Sequence, residues 1–418
     1  MVRVNLGDEP RPAQRYHADS IQGLTMRLLE GIRVLDFGRF IAGPYCAALL
    51  ADHGADVIRV ERVGGGEDRY LPPVADTGEG GMFMQLNRNK RCLTLDIACT
   101  EGRAIVQRLV RHADVVVANL PPATLRQLGL DYETLAALNP RIVLVVATAY
   151  GSKGPYSAQA GFDSVGQAMS GAMYMSGHPG APVRTGVNYV DFHTAQACAM
   201  GAMAALWARE RSGRGQLVEG SLLRSALIQS NSLLIEQAVR APNRVPQGNR
   251  GYMAGPVDVF ATQDGSIVVQ AVGQAMFERW CRAVDRADMI DDPRFADDVQ
   301  RGANSAAMSE AMAGWCANKT RTQVLAALAA AKIPAGPVYS PQQALEDAHI
   351  QAAGLLQRCT FDGLAQGFPL AVHPVDLSDM STGVYRPPPT LGQHSDEILR
   401  ELGCDEATIA DLHARAIV

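Results

Sequence analysis

The sequence predicts an α/β fold: a doubly wound parallel sheet forming a large domain, with a smaller α+β domain attached. Three observations predict it. Short β-branched runs alternate with helix-length amphipathic stretches between residues 33 and 147. Proline and glycine punctuate the joins in the order that opens and closes helices. A hairpin pattern near residues 257–271, followed by further helices, then breaks the alternation. At 418 residues the chain also exceeds what one hydrophobic core usually supports.

The elements follow in order. Arg33 to Phe37 reads as the first strand, Gly43-Pro44 opens a helix that Gly54 closes, and Asp56 to Glu61 is a second buried strand. Leu93-Thr94-Leu95, a helix from Glu101 to His112 and a strand from Asp114 to Ala118 repeat the unit. Helical pieces around Leu125 and Leu135 lead to the strand Ile142 to Ala147, completing a Rossmann-like alternation. The pattern then turns helical over Asp163 to Met175 and Val190 to Arg211. Gly213 to Gln216 leads into a strand at Leu217 to Glu219 and a helix from Leu222 to Val239. Arg240 to Gly255 has the composition of a linker. The hairpin Val257 to Ala261 and Ser266 to Ala271 turns at Asp264-Gly265, helices fall at Met276 to Val284, Ser305 to Cys316 and Thr322 to Ala330, and Ile333 to Val338 marks a boundary. The expected organisation is an N-terminal extension (1–27), the first part of the large domain (28–224), a small domain (225–325) and a segment returning to the large domain (326–418).

Composition narrows the function classes. The net charge is -5 and no basic stripe occurs, so the electrostatic footprint of a nucleic-acid binder is missing. Eight cysteines lie scattered without a Cys-x-x-Cys or a Cys/His cluster, the pattern of reduced thiols rather than of zinc ligands or a disulfide scaffold. No apolar window is long enough to span a bilayer. Residues 1–26 lack the apolar core of a secretion signal. A cytoplasmic protein is expected, with neither membrane nor nucleic acid as partner.

The residues alone leave the chemistry open. Gly38-Arg39-Phe40-Ile41-Ala42-Gly43-Pro44 is not the Gly-x-Gly-x-x-Gly turn that brings backbone to a dinucleotide pyrophosphate. The nine histidines form no metal-ligand spacing, and Ser170 lacks the first glycine of a nucleophile elbow. Asp163 and Asp191 stand among small residues at the starts of helical runs. Taken alone, each reads first as a helix N-cap and second as a catalyst.

The order of several short motifs goes further. Val34-Leu35-Asp36-Phe37, Ala42-Gly43-Pro44, Gly54 to Glu61, Asn89-Lys90-Arg91, Leu93 to Asp96, Asn139-Pro140-Arg141, Gly213 to Gln216 and Pro334 to Val338 together resemble the class III CoA transferases. That family includes formyl-CoA and carnitine-CoA transferases and is also labelled L-carnitine dehydratase or bile-acid-inducible protein F. Alpha-methylacyl-CoA racemase is a relative. The resemblance implies that Asp191 is the nucleophile, forming an aspartyl anhydride and then an aspartyl-CoA thioester. It implies coenzyme A or acyl-CoA as substrate rather than a resident cofactor, a small carboxylic acid as second substrate, and no metal. The positions matching CoA contacts are Ala42, Arg62, Leu95, Ala98, Asn119, Leu120, Leu128, Gly161, Phe162 and Asp163, with Asp163 expected as a wall or cap residue.

Two readings compete with transferase. A racemase needs a histidine where this chain has Phe162, and phenylalanine carries no proton. A CoA-binding protein without catalysis is the other alternative. The sequence also departs from the family pattern at Ala98, where relatives often have lysine, and at Gln127, beside Arg126, where they have arginine. Lys90, Arg91 or Arg126 are then the candidate phosphate partners. The glycine run with which formyl-CoA transferase covers its site does not appear in Gly248 to Gly255. Family members form two open rings threaded through each other, so the resemblance implies an interlocked homodimer.

Overall fold

The structure, a computed structural model, describes residues 27–418, and the expected N-terminal extension lies outside the described residues except for Arg27. The elements that build the site are β1 (Arg33–Asp36), α1 (Ala42–Asp52), β2 (Asp56–Glu61), α2 (Gly81–Leu86), β3 (Lys90–Thr94), α3 (Thr100–Arg111), β4 (Val115–Ala118), α4 (Pro122–Leu128), α5 (Tyr132–Leu138) and β5 (Val143–Thr148). After them come α6 (Asp163–Met169), α7 (Ala172–Met175), the two-residue strands β6 (Gly177–His178) and β7 (Ala181–Pro182), α8 (Tyr189–Ser212), β8 (Leu217–Ser221) and α9 (Leu222–Arg240). Six strands form one parallel sheet in the order β3-β2-β1-β4-β5-β8. Both faces are covered, as buried parallel strands require. α1 and α8 pack on one face through Ala47, Ala51, Ala195, Ala199 and Ala202, whose small side chains let the two helices sit close to the sheet. α3 and α5 pack on the other, with Ile105, Leu109 and Leu135.

The chain's end closes that second face. Ile398, Leu399, Ile409, Leu412, Ile417 and Val418 are all buried against β3, β4 and α3. Backbone hydrogen bonds from His394 N to Cys92 O (3.0 Å) and from Asp96 N to Ile417 O (2.8 Å) tie it to the sheet edge.

A separate core forms around Phe260, Ile267, Phe277, Trp280, Met308, Met312 and Leu328. It lies under an antiparallel sheet of β9 (Val257–Thr262), β10 (Gly265–Gln270) and β11 (Ala335–Val338). The hairpin is where the sequence predicts it. Ala335–Val338, expected only as a boundary, instead pairs with β10, so this sheet continues to residue 338.

Two other expectations need correction. The helix expected over Asp163 to Met175 is broken into α6 and α7, because Gly171 takes a left-handed φ of +84° between them. β3 starts at Lys90 rather than Leu93. Its first two residues are charged yet buried, since Lys90 Nζ contacts Asp36 Oδ2 at 2.7 Å and Arg91 Nη2 contacts Asp56 Oδ2 at 2.7 Å. Among the described residues no helix is long and apolar enough to cross a membrane.

Candidate active site

Strand order reverses between β1 and β4, so the turns leaving their C-terminal ends diverge and open a crevice, the usual ligand position in a doubly wound sheet. Arg39 to Ala42 follow β1 and Asn119 to Pro122 follow β4. With Gly161 and Phe162 ahead of α6 and the first turn of α8, they enclose a cavity of about 300 Å³. Asp191 lies in its wall.

Asp191 is the third residue of α8 and only 8% exposed. Opposing effects act on its carboxylate. A helix N-terminus favours an anion, whereas burial and a neighbouring negative charge disfavour one. Burial wins, helped by Asp163, and the pKa is pushed up to about 7. The dipole loses partly because its donors are already engaged: Asp163 Oδ2 accepts from Val190 N at 2.8 Å and from Asp191 N at 3.1 Å. Asp163 is itself buried, and its other oxygen accepts from Gln167 Nε2. Gln167 Oε1 in turn accepts from Thr185 N at 3.1 Å. Asp163 therefore caps the helix that carries Asp191, and its oxygens are turned to protein rather than to the cavity.

Of the other sequence-predicted positions, Ala42, Asn119, Leu120, Gly161 and Phe162 line the same cavity as Asp191. Asn119 does so with its amide engaged. Its Oδ1 accepts from Arg39 N at 2.8 Å and its Nδ2 donates to Arg39 O at 2.7 Å, so it holds the facing turn. Arg62 lies in an adjoining groove that shares Arg39 and Leu120 with the cavity. Its Nη2 pairs with Glu67 Oε1 at 3.1 Å, and the same carboxylate also pairs with Arg39, bridging two arginines at the groove mouth.

Three expected positions fall elsewhere. Leu95 is 1% exposed and packs in the core with α3, Leu128 packs partly buried against that core, and Ala98 is exposed on the turn before α3. None of the three lines the cavity or the groove. The alternative cations also separate. Lys90 is fully buried on Asp36, and Arg91 is bound by Asp56, Glu397 and Glu401, so neither is free for a ligand phosphate. Arg126 remains exposed on α4.

Sequence reasoning missed Arg39 and Phe40. Arg39 is the one cation among the described residues lining the cavity, and no histidine lines it. The signal was present in the topology: a turn following the first strand of a doubly wound sheet belongs to the switch point whatever residues it carries.

A largely apolar cavity with one buried, poorly solvated carboxylate, beside a groove rimmed by exposed Arg39 and Arg62, suits a nucleophile acting on a ligand with an anionic end. Comparison with known proteins identifies the family. The chain is 34% identical to succinyl-CoA–D-citramalate CoA-transferase of Chloroflexus aurantiacus over 408 residues, covering 94% of this chain and 98% of that protein. It is also 34% identical to succinate–glutarate CoA-transferase of Agrobacterium fabrum, over 91% of this chain and 97% of the relative. A crystal structure of a CAIB/BAIF family protein from Brucella suis superposes with a TM-score of 0.79 at 30% identity, covering 90% of this chain and 99% of that one. The profile of CoA-transferase family III matches residues 29–395. The chain belongs to CoA-transferase family III and is an enzyme of that family.

Proposed function

We propose that this enzyme moves coenzyme A from an acyl-CoA, of the succinyl-CoA type named for its relatives, to a small carboxylic acid, using Asp191 as nucleophile. The observation that carries the reading is a buried carboxylate, with no hydrogen bond to its oxygens from the described residues, in the wall of an otherwise largely apolar cavity. Weak solvation keeps such an oxygen pair nucleophilic. Attack of an Asp191 oxygen on the thioester carbonyl forms an aspartyl anhydride and expels the CoA thiolate. The thiolate then attacks the Asp191 carbonyl carbon, releasing the donor acid and leaving an aspartyl-CoA thioester. An incoming carboxylate reverses both steps and departs as the new acyl-CoA. Arg39 and Arg62 at the adjoining groove share Glu67 but, unlike buried Lys90 and Arg91, are solvent-exposed, so a phosphate of the nucleotide end can replace that carboxylate as their partner through charge-assisted hydrogen bonds.

The racemase reading is weaker. It needs a second acid-base group, and the position for it holds Phe162, whose ring carries no proton. The eight cysteines are all unpaired, which supports a reducing compartment such as the cytoplasm. An interlocked homodimer is proposed with it, supported by apolar side chains left exposed on α8 and α9 of the single chain: Met200, Trp207, Ile228, Ile235 and Val239. Light scattering should return twice the chain mass.

The test of the chemistry is trapping. Incubation with succinyl-CoA and hydroxylamine should place a hydroxamate on Asp191, read by peptide mass, and a panel of glutarate, malate and citramalate should yield the new CoA thioesters. Undiminished transfer by Asp191→Asn would overturn the reading. Alpha-carbon deuterium exchange without acyl transfer would replace it with the racemase.

A further inference from the structure

The turn between β1 and α1 carries a strained aromatic residue. Phe40 adopts a φ of +61°, in the left-handed region. For a bulky side chain this conformation is strained and persists only where surrounding bonds fix it. Here they do. Gly38 N donates to Asp36 Oδ1 at 2.8 Å, Gly38 O accepts from Arg59 Nη1 at 3.2 Å, and the Asn119 amide holds both polar groups of the Arg39 backbone. Asp36 is in turn fixed by buried Lys90.

The clamped turn delivers the Phe40 ring to the cavity wall, where it meets Phe162 edge to face, with centroids 5.5 Å apart and planes at 87°. Phe162 comes from the opposite side. It immediately precedes Asp163, whose carboxylate caps the helix bearing Asp191, and it is 61% exposed although apolar. One ring is thus anchored to the sheet and the other to the nucleophile's helix cap, and they meet at the cavity that holds Asp191. Phe40 also packs against the core beneath the turn, but Phe162, exposed and apolar, gains nothing from the core and meets only the ring that the strained turn holds out to it.

We propose that Phe40 is a positioning residue which, with Phe162, forms an apolar shutter keeping water from the acyl group on Asp191. The inference rests on the transferase reading above. The side reaction it suppresses is simple. Water adds to the anhydride carbonyl, the bond to the bridging oxygen breaks, and the donor acid, the free Asp191 carboxylate and a free CoA thiol result. Net acyl-CoA hydrolysis then replaces transfer, without any oxidant or reductant.

The measurement is a partition ratio: free CoA thiol released against new acyl-CoA formed, with succinyl-CoA as donor and glutarate as acceptor. Phe40→Ala and Phe162→Ala should raise this ratio roughly tenfold or more while leaving the Asp191 hydroxamate trappable, and Phe162→Leu should restore most of the protection. Phe40→Gly separates strain from shielding, because glycine accepts the positive φ without cost yet lacks the ring. It should stay folded, with the relief of strain offsetting part of the lost packing of the ring on the core, and leak like Phe40→Ala. An unchanged ratio in folded Phe40→Gly and Phe162→Ala overturns the shutter. If the parent chain gives no Asp191 adduct at all, the anhydride reading fails first, and the shutter fails with it.

Discussion

At the scale of single residues, the raised pKa of Asp191 has consequences for rate and for stability that run in opposite directions. A nucleophilic carboxylate must be ionised, so kcat/KM should fall about tenfold per pH unit below the pKa near 7 and level off above it. Asp163 is the second cause of that shift, so Asp163→Asn, which keeps a capping oxygen but removes the charge, should move the midpoint of the pH profile to lower pH. A profile that stays in place would show that burial alone sets it. The stability argument uses the same pKa. The folded state holds the Asp191 proton more tightly than the unfolded chain, whose value is 3.8, so stability is lost as pH rises from about 4 to about 7. Asp191→Asn cannot lose a proton. It should therefore abolish transfer yet unfold at a higher temperature than the parent at pH 8, by up to ~4 kcal/mol of stability, with little difference near pH 4. Equal melting at pH 8 would contradict the buried placement.

At the scale of elements, the turn after β1 depends on a buried ion pair that the sequence disguised. Lys90 Nζ sits 2.7 Å from Asp36 Oδ2 and 2.8 Å from the Pro44 carbonyl oxygen, with both side chains fully buried. Lys90→Met would leave Asp36 buried with only the more distant Arg59, 4.0 Å away, as counter-charge, at a cost of up to about 3–5 kcal/mol. The urea midpoint should drop accordingly, and a variant as stable as the parent would remove the pair from the support of the cavity. This pair also explains what was legible. β4 is an unbroken apolar run, and β1 and β2 hold Val34-Leu35 and Val57-Ile58 between their charged ends, so all three could be placed from apolar, mostly β-branched residues. β3 opens on Lys90 and Arg91, which hydrophobic patterning scores as loop, and only the tertiary partners Asp36 and Asp56 make them strand residues. In the same way, Asp163 and Asp191 could be singled out in the sequence, but not told apart: one caps the other's helix through contacts 27 and 28 residues away. The position of the cavity followed from strand alternation. The polarity of its mouth did not, because Arg39 and Arg62 meet on Glu67 only in three dimensions.

At the scale of the whole molecule, the chain's last segment is a structural member of the sheet it returns to. Ile398, Leu399, Ile409, Leu412, Ile417 and Val418 are 0–7% exposed and cover the face opposite α1 and α8. Full burial of a side chain of this size contributes about 1.5–3 kcal/mol, so the six together rival the 5–15 kcal/mol by which a native domain is stable. Removing residues 391–418 should therefore abolish the folded state, and not merely fray an end. It would also free the edge of β3, which now bonds His394 and faces Ser395. Since Lys90 at the start of that strand holds Asp36, and Asp36 holds the turn that walls the cavity, loosening the edge reaches the active site without touching a lining residue. Ile398→Ala grades the effect. It should cost about 2–5 kcal/mol and lower the melting temperature, while a folded preparation below that temperature keeps its Asp191 adduct. A truncated chain that stays soluble, shows native circular dichroism and still transfers CoA would mean that the sheet closes this face by other means.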